Sequence, residues 1–410
     1  MEEITLNLPF LIAGIIIFIG FLGTLFFQKT RIPDVLFLIV IGVIIGPIAG
    51  WIKASQLESI TPYFGRLALI IILFEGGLHL DIGVLLKYLA GGLGLAIGTF
   101  VVSALGIWAL GVYYLEMSSI NALIFGCILG GISPAIVIPL INQMRVREET
   151  RAILNLESVL ADIFIILSVI ILIQIAPTGH ISISGIMNAI ASSFSIALVA
   201  GVVVGLLWVR ALGSVKIASL SYMTTLAAVL VLYGLVEMCK GSGAVAAFTF
   251  GLILKNATRF LRVFDENKIF KLDEKIEQFH SEFTFFIRTY FFVYMGMLIA
   301  PELFYHDGIL KNIILISAIL IIIRYVFIWL FCAVYKPIRL ERFTYFVMLP
   351  RGLATAVIAS LPAASKIAGT ENFLNYTIMI ILITNIFMVL GIFITEQRSQ
   401  VFMPPKNSAS

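Results

Sequence analysis

Apolar run follows apolar run along this chain, and many reach the roughly 18 residues that an α-helix needs to cross a lipid bilayer. A water-soluble fold could not hide them, because surface-to-volume geometry leaves most residues of a soluble domain partly wet. Of the 410 residues, 60% are hydrophobic and only 12% are charged, well outside the usual soluble range. The chain therefore reads as an all-α polytopic membrane protein.

Hydropathy predicts about 13 transmembrane helices, at 8–27, 33–52, 62–80, 88–115, 119–142, 150–176, 184–211, 217–238, 242–258, 278–300, 310–335, 343–365 and 372–395. The connecting loops are short, the longest falling at about 259–277, so residues 1–410 are expected to form a single membrane domain. The segment 397–410 is too short to fold alone. The start, MEEITLNLPFLIAG, lacks the basic region of a cleaved signal, so the first span is expected to be retained.

Lysine and arginine alternate sides from loop to loop. One side collects Arg145, Arg147, Arg151 and six basic residues from Lys255 to Lys275, among others; the opposite side has Lys53, Arg66, Lys240, Lys311 and Lys366. The positive-inside rule assigns the rich side to the cytoplasm, with the N-terminus outside and the C-terminus cytoplasmic in a cell membrane. Because the basic residues lie in these short loops, the net charge of +4 points to no nucleic-acid partner. Cys127, Cys239 and Cys332 are scattered through apolar runs and read as small buried hydrophobes. The four histidines, His79, His180, His280 and His306, fall at span ends or in loops, which leaves nothing on which to build a zinc or haem site. No cofactor is expected.

Two spans carry mid-membrane breaks. Span five contains GGISPAIVIP (130–139) and span twelve contains LPRGLATAVIASLP (349–362). Proline removes a backbone donor and frees carbonyls in a place where water cannot satisfy them. One such kink is ordinary. Two kinks seven spans apart relate halves of opposite orientation, about 8–176 and 217–395, joined by a linker helix at about 184–211. Corresponding interrupted helices in inverted repeats point to a secondary transporter with a site near the membrane midplane.

Span six, LNLESVLADIFIIL at 154–167, holds two acids in that same apolar setting. With Thr150 as the helix cap and Glu148 and Glu149 at its positive end, Asp162 lies about 18 Å along the helix, near the bilayer centre. An ion there costs about 2.5–3.5 kcal/mol on the gentler insertion scale, so the residue needs a partner or a task. Glu157 and Asp162 are five apart and face different neighbours, whereas Ser158 and Asp162 are four apart and share a face. Two roles follow: Glu157 in a structural ion pair, Asp162 facing a cavity with Ser158 beside it as a neutral oxygen ligand. Desolvation favours the neutral acid and an arriving cation favours the carboxylate, so proton and cation compete for the same oxygens. The plain alternative for Asp162 is a salt bridge to an intramembrane arginine, of which there are three: Arg288, Arg324 and Arg351.

Taken in order, RIPDVLFLIVIGVIIGP, LIIILFEGGLHLD, GGISPAIVIPLI, ESVLAD, FFIRTYFFVYMGML and LPRGLATAVIA resemble the monovalent cation/proton antiporter superfamily over nearly the whole chain. The resemblance implies two inverted six-helix repeats with discontinuous helices 5 and 12, and a homodimer working by an elevator movement of a core domain. It implies exchange of Na⁺, Li⁺ or K⁺ for H⁺, with Asp162 and Ser158 at the cation and Glu157 paired with Arg324. An arginine in span eleven, rather than lysine, resembles the electroneutral branch. Two positions depart from the family motif. Ala161 replaces the Asn or Asp before the ion-binding acid, and Ile132-Ser133-Pro134 replaces Thr-Asp-Pro at the first break. One carboxylate is thereby missing, although Ser133 and the carbonyls around Ile132 still offer oxygens, and a one-for-one exchange is expected. Arg351 is expected to pin the second break or face Glu75, Arg288 to support span ten in the same way, and Glu75 to be a paired structural acid.

Other functions are weighed against this one. A sodium-coupled symporter of an organic anion on a related inverted-repeat fold would use its half-helix N-termini for the substrate carboxylate. A ligand-gated cation efflux module would need a gating domain, for which the short tail leaves no room. An intramembrane enzyme is disfavoured, since no His-Glu-x-x-His, Gly-x-Gly-Asp or Ser/His constellation occurs in the spans.

Overall fold

The computed structural model describes residues 14–23, 25, 34–51, 61–78, 80–176, 183–214, 221–261, 274–299 and 307–402. Every regular element among them is helical, as the long apolar runs require. In chain order they are α1 (Gly14–Gly23), α2 (Asp34–Val43, continued as a π-turn over Ile44–Ile48), α3 (Thr61–Leu78), α4 (Ile82–Tyr113), α5 (Ser119–Ile128) and α6 (Pro134–Gln143). Then follow α7 (Glu148–Ile175), α8 (Ile183–Ser214), α9 (Ser221–Met238), α10 (Gly243–Lys255), the short α11 (Ala257–Leu261) and α12 (Glu274–Met297). The chain ends with α13 (Asp307–Val334), a 3₁₀ segment Lys336–Glu341, α14 (Arg342–Val347), α15 (Leu353–Ala364) and α16 (Phe373–Phe402).

Five of these contain continuous apolar stretches long enough to span a membrane: Leu86–Tyr113, Glu148–Ile175, Ala191–Leu212, Gly308–Val334 and Phe373–Thr395. They face different surroundings. The hydrophobic window of α7 is 61% buried inside the protein, that of α8 only 22%. On the evenly apolar α8, Leu198, Val199, Val203 and Leu207 are exposed, an outer face whose chemistry suits lipid rather than water.

The helices pack into two bundles. In the first, α3 and α8 lie against α10, α2 against α12, and α9 touches α8 and α10. In the second, α4 gathers α5, α7 and α13, while α16 gathers α13, α14 and α15. The bundles meet chiefly where α15 crosses α3 and where α7 touches α8. Small residues set the closest approaches, as expected where lipid supplies no hydrophobic drive between helices. A Cβ on Gly77 would strike the Phe248 carbonyl of α10, and one on Gly251 would strike the Phe74 carbonyl of α3.

Loop residues connect the bundles with defined chemistry. Asp81 caps α4, accepting the N–H of Gly83 at 2.6 Å and of Val84 at 3.2 Å. Asn256, at the end of α10, accepts the Ile82 N–H at 2.9 Å and donates to the Leu80 carbonyl at 2.9 Å. The turn between α3 and α4 is thus tied by one side chain to a third helix.

Three sequence expectations change. Thr150 is not the cap of α7: the helix starts at Glu148 and Thr150 lies within it, 2% exposed. The Arg147 N–H ahead of it is received by the Glu341 carboxylate at 3.2 Å, and Glu148 and Glu149 occupy the positive first turn. His280 is not at a span end but buried inside α12, its ring edge-on to Phe74 at 4.8 Å. Cys239 is exposed in the turn after α9, whereas Cys127 and Cys332 are buried.

Candidate functional site: two crossed breaks around a buried acid

Each half of the second bundle contains an interruption. The first lies between α5 and α6, where Ser133 is the N-cap of α6 and Pro134 its first residue. The second lies between α14 and α15, with Gly352 as N-cap. The two unwound segments touch: the Ser133 N–H donates to the Pro350 carbonyl at 2.8 Å, so one break satisfies the backbone of the other. Gly352 is required there, since any Cβ would collide with the Ser133 side chain.

Arg351 sits between the breaks, 2% exposed. Its Nε and Nη2 donate to the Leu129 carbonyl at 3.1 and 2.8 Å, and its Nη1 donates to the Leu349 carbonyl at 2.9 Å. Of the two expectations for this residue, pinning the unwound backbone is the one observed. These carbonyls are the orphans that each half-helix leaves at its end, and a five-donor guanidinium can satisfy several at once.

Arg324 of α13 and Glu157 of α7 are brought together as a buried pair. The guanidinium holds both carboxylate oxygens, Nη2 reaching Oε2 at 2.9 Å and Nη1 contacting Oε1. Nη1 also donates to Thr99 Oγ1 at 3.0 Å, while Nε and Nη2 donate to the Tyr345 carbonyl at 3.1 and 2.8 Å and Nη2 to the Met348 carbonyl at 3.1 Å. The pair thereby joins α4, α7, α13 and the start of the second break. Residues 1–2% exposed can carry these charges only because every donor is spent on an acceptor.

Asp162 is set apart from that arrangement. It lies 14 residues past Glu148 in the 28-residue α7, the midpoint of the helix, and is 2% exposed. Among the described residues its Oδ1 has no hydrogen-bond partner, and neither does Ser133 Oγ. Ser158, one turn earlier on the same face, donates its hydroxyl proton to the Asn155 carbonyl at 2.9 Å, which leaves its oxygen lone pairs available. Ala161 explains part of the packing: a Cβ on Gly131 of the first break would come within 3.2 Å of the Ala161 methyl. A larger residue at 161 would push the break away from α7. Ile132, beside Gly131, is 1% exposed.

A cavity of about 560 Å³ opens between the bundles. Its first wall is Ile72, Glu75 and Gly76 of α3 together with Gln278, Ser281, Glu282, Thr284, Phe285 and Arg288 of α12. Its second wall is Pro134, Ala135 and Ile138 of α6, so the cavity ends at the residue following Ser133. Glu75 accepts the Ser281 hydroxyl at 3.1 Å. Asp162 is not among the residues of the cavity wall. Glu75, expected as a paired structural acid, and Arg288, expected to support span ten, both line this cavity.

Sequence reasoning missed several contributors. Thr99 and the carbonyls of Leu129, Tyr345 and Met348 complete the two arginine sites. On α16, Asn385 donates to the Arg351 carbonyl at 2.9 Å and Thr384 Oγ1 accepts the Arg351 N–H at 3.4 Å. The Thr-Asn pair in an apolar span was a visible signal for the last two. Backbone carbonyls carry no sequence signal at all.

A helical membrane bundle with paired interrupted helices and an intramembrane acid is the architecture of secondary transporters. The chain belongs to the sodium/hydrogen exchanger transmembrane family, whose profile matches residues 14–396. A curated relative named "Probable Na(+)/H(+) antiporter 2", from Methanocaldococcus jannaschii, is 27% identical over 376 residues, covering 85% of each chain. The K(+)/H(+) antiporter NhaP2 of Shewanella sp. strain ANA-3 is 22% identical over 99% of this chain and 69% of its own length. Among solved structures, the sodium proton antiporter MjNhaP1 from M. jannaschii at pH 8 superposes with a TM-score of 0.79 at 21% identity, over 97% of this chain and 98% of the other. The fold is shared with that transporter.

Proposed function

We propose that this protein exchanges a monovalent cation, Na⁺, Li⁺ or K⁺, for H⁺ across a cell membrane, with Asp162 as the group that holds either one. The observation that carries this reading is the partition of the two acids in α7. Glu157 takes the guanidinium, while Asp162, next to the Ala161 that packs on the first break, keeps an oxygen without a partner among the described residues. A buried acid costs least when it holds a proton or a cation, and Ser158, Ser133 and the carbonyls around Ile132 supply neutral oxygens to a desolvated ion. Since the proton and the metal occupy the same oxygens in turn, a carrier that crosses only when Asp162 is neutralised exchanges one for the other.

Exchange is electroneutral in this reading, because Ser133 stands where the resembled family motif, Thr-Asp-Pro, has a second carboxylate, and one titrating acid remains. The second bundle is the moving core and the first the fixed scaffold of an elevator. The cavity beside Pro134 is the water route to one side of the membrane, and the protein works as a homodimer with its N-terminus outside and its C-terminus cytoplasmic. The organic-anion symport alternative is not favoured: the relatives are named as antiporters of Na⁺ or K⁺ with H⁺.

The test is flux in proteoliposomes carrying a pH dye, with each cation in turn and with or without an imposed potential. Cation-driven proton movement indifferent to voltage is expected, and Asp162→Asn should abolish it. Full exchange by that variant would remove the basis of the assignment.

A further inference from the structure

We propose that Asn385 is a positioning residue for the cation site, and this rests on the exchange reading above. The residue lies in the middle of the apolar stretch Phe373–Thr395 of α16, and it is fully buried. An amide at that depth needs a reason. Its Nδ2 donates to the Ile381 carbonyl one turn back, at 2.7 Å, and to the Arg351 carbonyl in the second break, at 2.9 Å. The break leaves the Arg351 carbonyl without a helical partner, and Asn385 is the group that donates to it.

The consequence reaches the site in two steps. The adjoining Pro350 carbonyl accepts the Ser133 N–H at 2.8 Å, and the Ser133 side chain rests against Gly352. Holding residue 351 from α16 therefore fixes residues 350 and 352 on either side, and these are the two that set where Ser133 presents its oxygen. Thr384 contributes less: its hydroxyl is already spent on the Ile380 carbonyl at 2.8 Å, and the Arg351 N–H reaches it only at 3.4 Å. Asn385 thus acts on the cation through the break, without touching it.

The experiment measures exchange in proteoliposomes as a function of Na⁺, Li⁺ and K⁺ concentration for wild type, Asn385→Leu, Asn385→Ser and Asp162→Asn. Leucine keeps the volume and removes the bond. Serine can bond back to the Ile381 carbonyl, as Thr384 does to Ile380, but is too short to reach residue 351, so it serves if the leucine variant does not fold. Loss of one net hydrogen bond that orients the site predicts a rise of about tenfold in apparent KM, with altered ratios among the three cations and a maximal rate per folded protein within about threefold of wild type. A residue that only held the fold together would lower the amount of folded protein and leave KM and the cation ratios alone. Wild-type KM and ratios in both Asn385 variants, alongside an inactive Asp162→Asn, would overturn the role of Asn385 and leave that of Asp162 standing. An active Asp162→Asn would overturn both.

Discussion

Arg324→Leu is the perturbation with the most to say about how this bundle holds charge. The substitution removes hydrogen bonds to Glu157, Thr99 and the carbonyls of Tyr345 and Met348 in one step. It leaves a carboxylate 1% exposed with no cation beside it. Breaking a buried pair from one side costs about 3–5 kcal/mol, because the abandoned charge stays desolvated. A chain of 410 residues unfolds with an entropy of about 0.9 kcal/mol/K, at ~2.1 cal/mol/K per residue. Each kcal/mol therefore moves the midpoint by about 1.2 °C, and the expected loss is about 4–6 °C. Glu157→Gln keeps a carbonyl to accept from Arg324, whose other acceptors are intact, so about 1.5–3 kcal/mol and about 2–4 °C are expected. The double variant Arg324→Leu with Glu157→Leu leaves no orphaned charge and should melt above the sum of its single changes, with a coupling of about 0.5–3 kcal/mol. Melting of purified protein in detergent, followed by tryptophan fluorescence, reads all three. A shift under about 1 °C for Arg324→Leu, or strict additivity in the double variant, would refute the claim that this pair stands or falls as a unit.

Other expectations follow from the same geometry. Gly352→Ala should drive the breaks apart at Ser133, costing about 1–3 kcal/mol of strain and at least about tenfold in exchange; a wild-type flux would deny that the crossing is tight. Ser133→Ala and Ser158→Ala should each raise the apparent cation KM about tenfold with the maximal rate kept, as loss of one neutral ligand predicts; unchanged titrations would place the cation elsewhere. Arg351→Lys trades a fork for a point charge that cannot serve the Leu129 and Leu349 carbonyls together, so melting should fall while a purely electrostatic role would be preserved. Gly77→Val should part α3 from α10 and lower the melting midpoint without changing cation preference, since that contact lies in the first bundle.

Much of this arrangement was legible in the order of residues. Apolar runs required helices because only a helix satisfies its own backbone in lipid, and the Pro-Gly pairs marked both interruptions. Asp162 stood out by its depth alone, and its five-residue spacing from Glu157 already set the two acids against different neighbours. The resemblance to exchangers supplied Arg324 as the partner of Glu157. What failed were details governed by neighbours distant in sequence. Thr150 looked like a cap, but Glu341, 194 positions from Arg147, received the N–H ahead of α7 and let the helix begin earlier. His280 looked like a boundary residue until Phe74 covered it.

Local chemistry, then, was enough to say that the chain is an all-helical membrane bundle, where two of its helices unwind and which acid lies deep in an apolar helix. The assignment of the three intramembrane arginines was another matter. Arg351 could have met Glu75 for all the sequence says; the folded chain put Leu129 and Leu349 carbonyls against it and left Glu75 in a cavity wall with Arg288. The reason is physical: a helix break exposes backbone acceptors that every residue type carries alike, so their partners are decided by which segments the tertiary packing brings together.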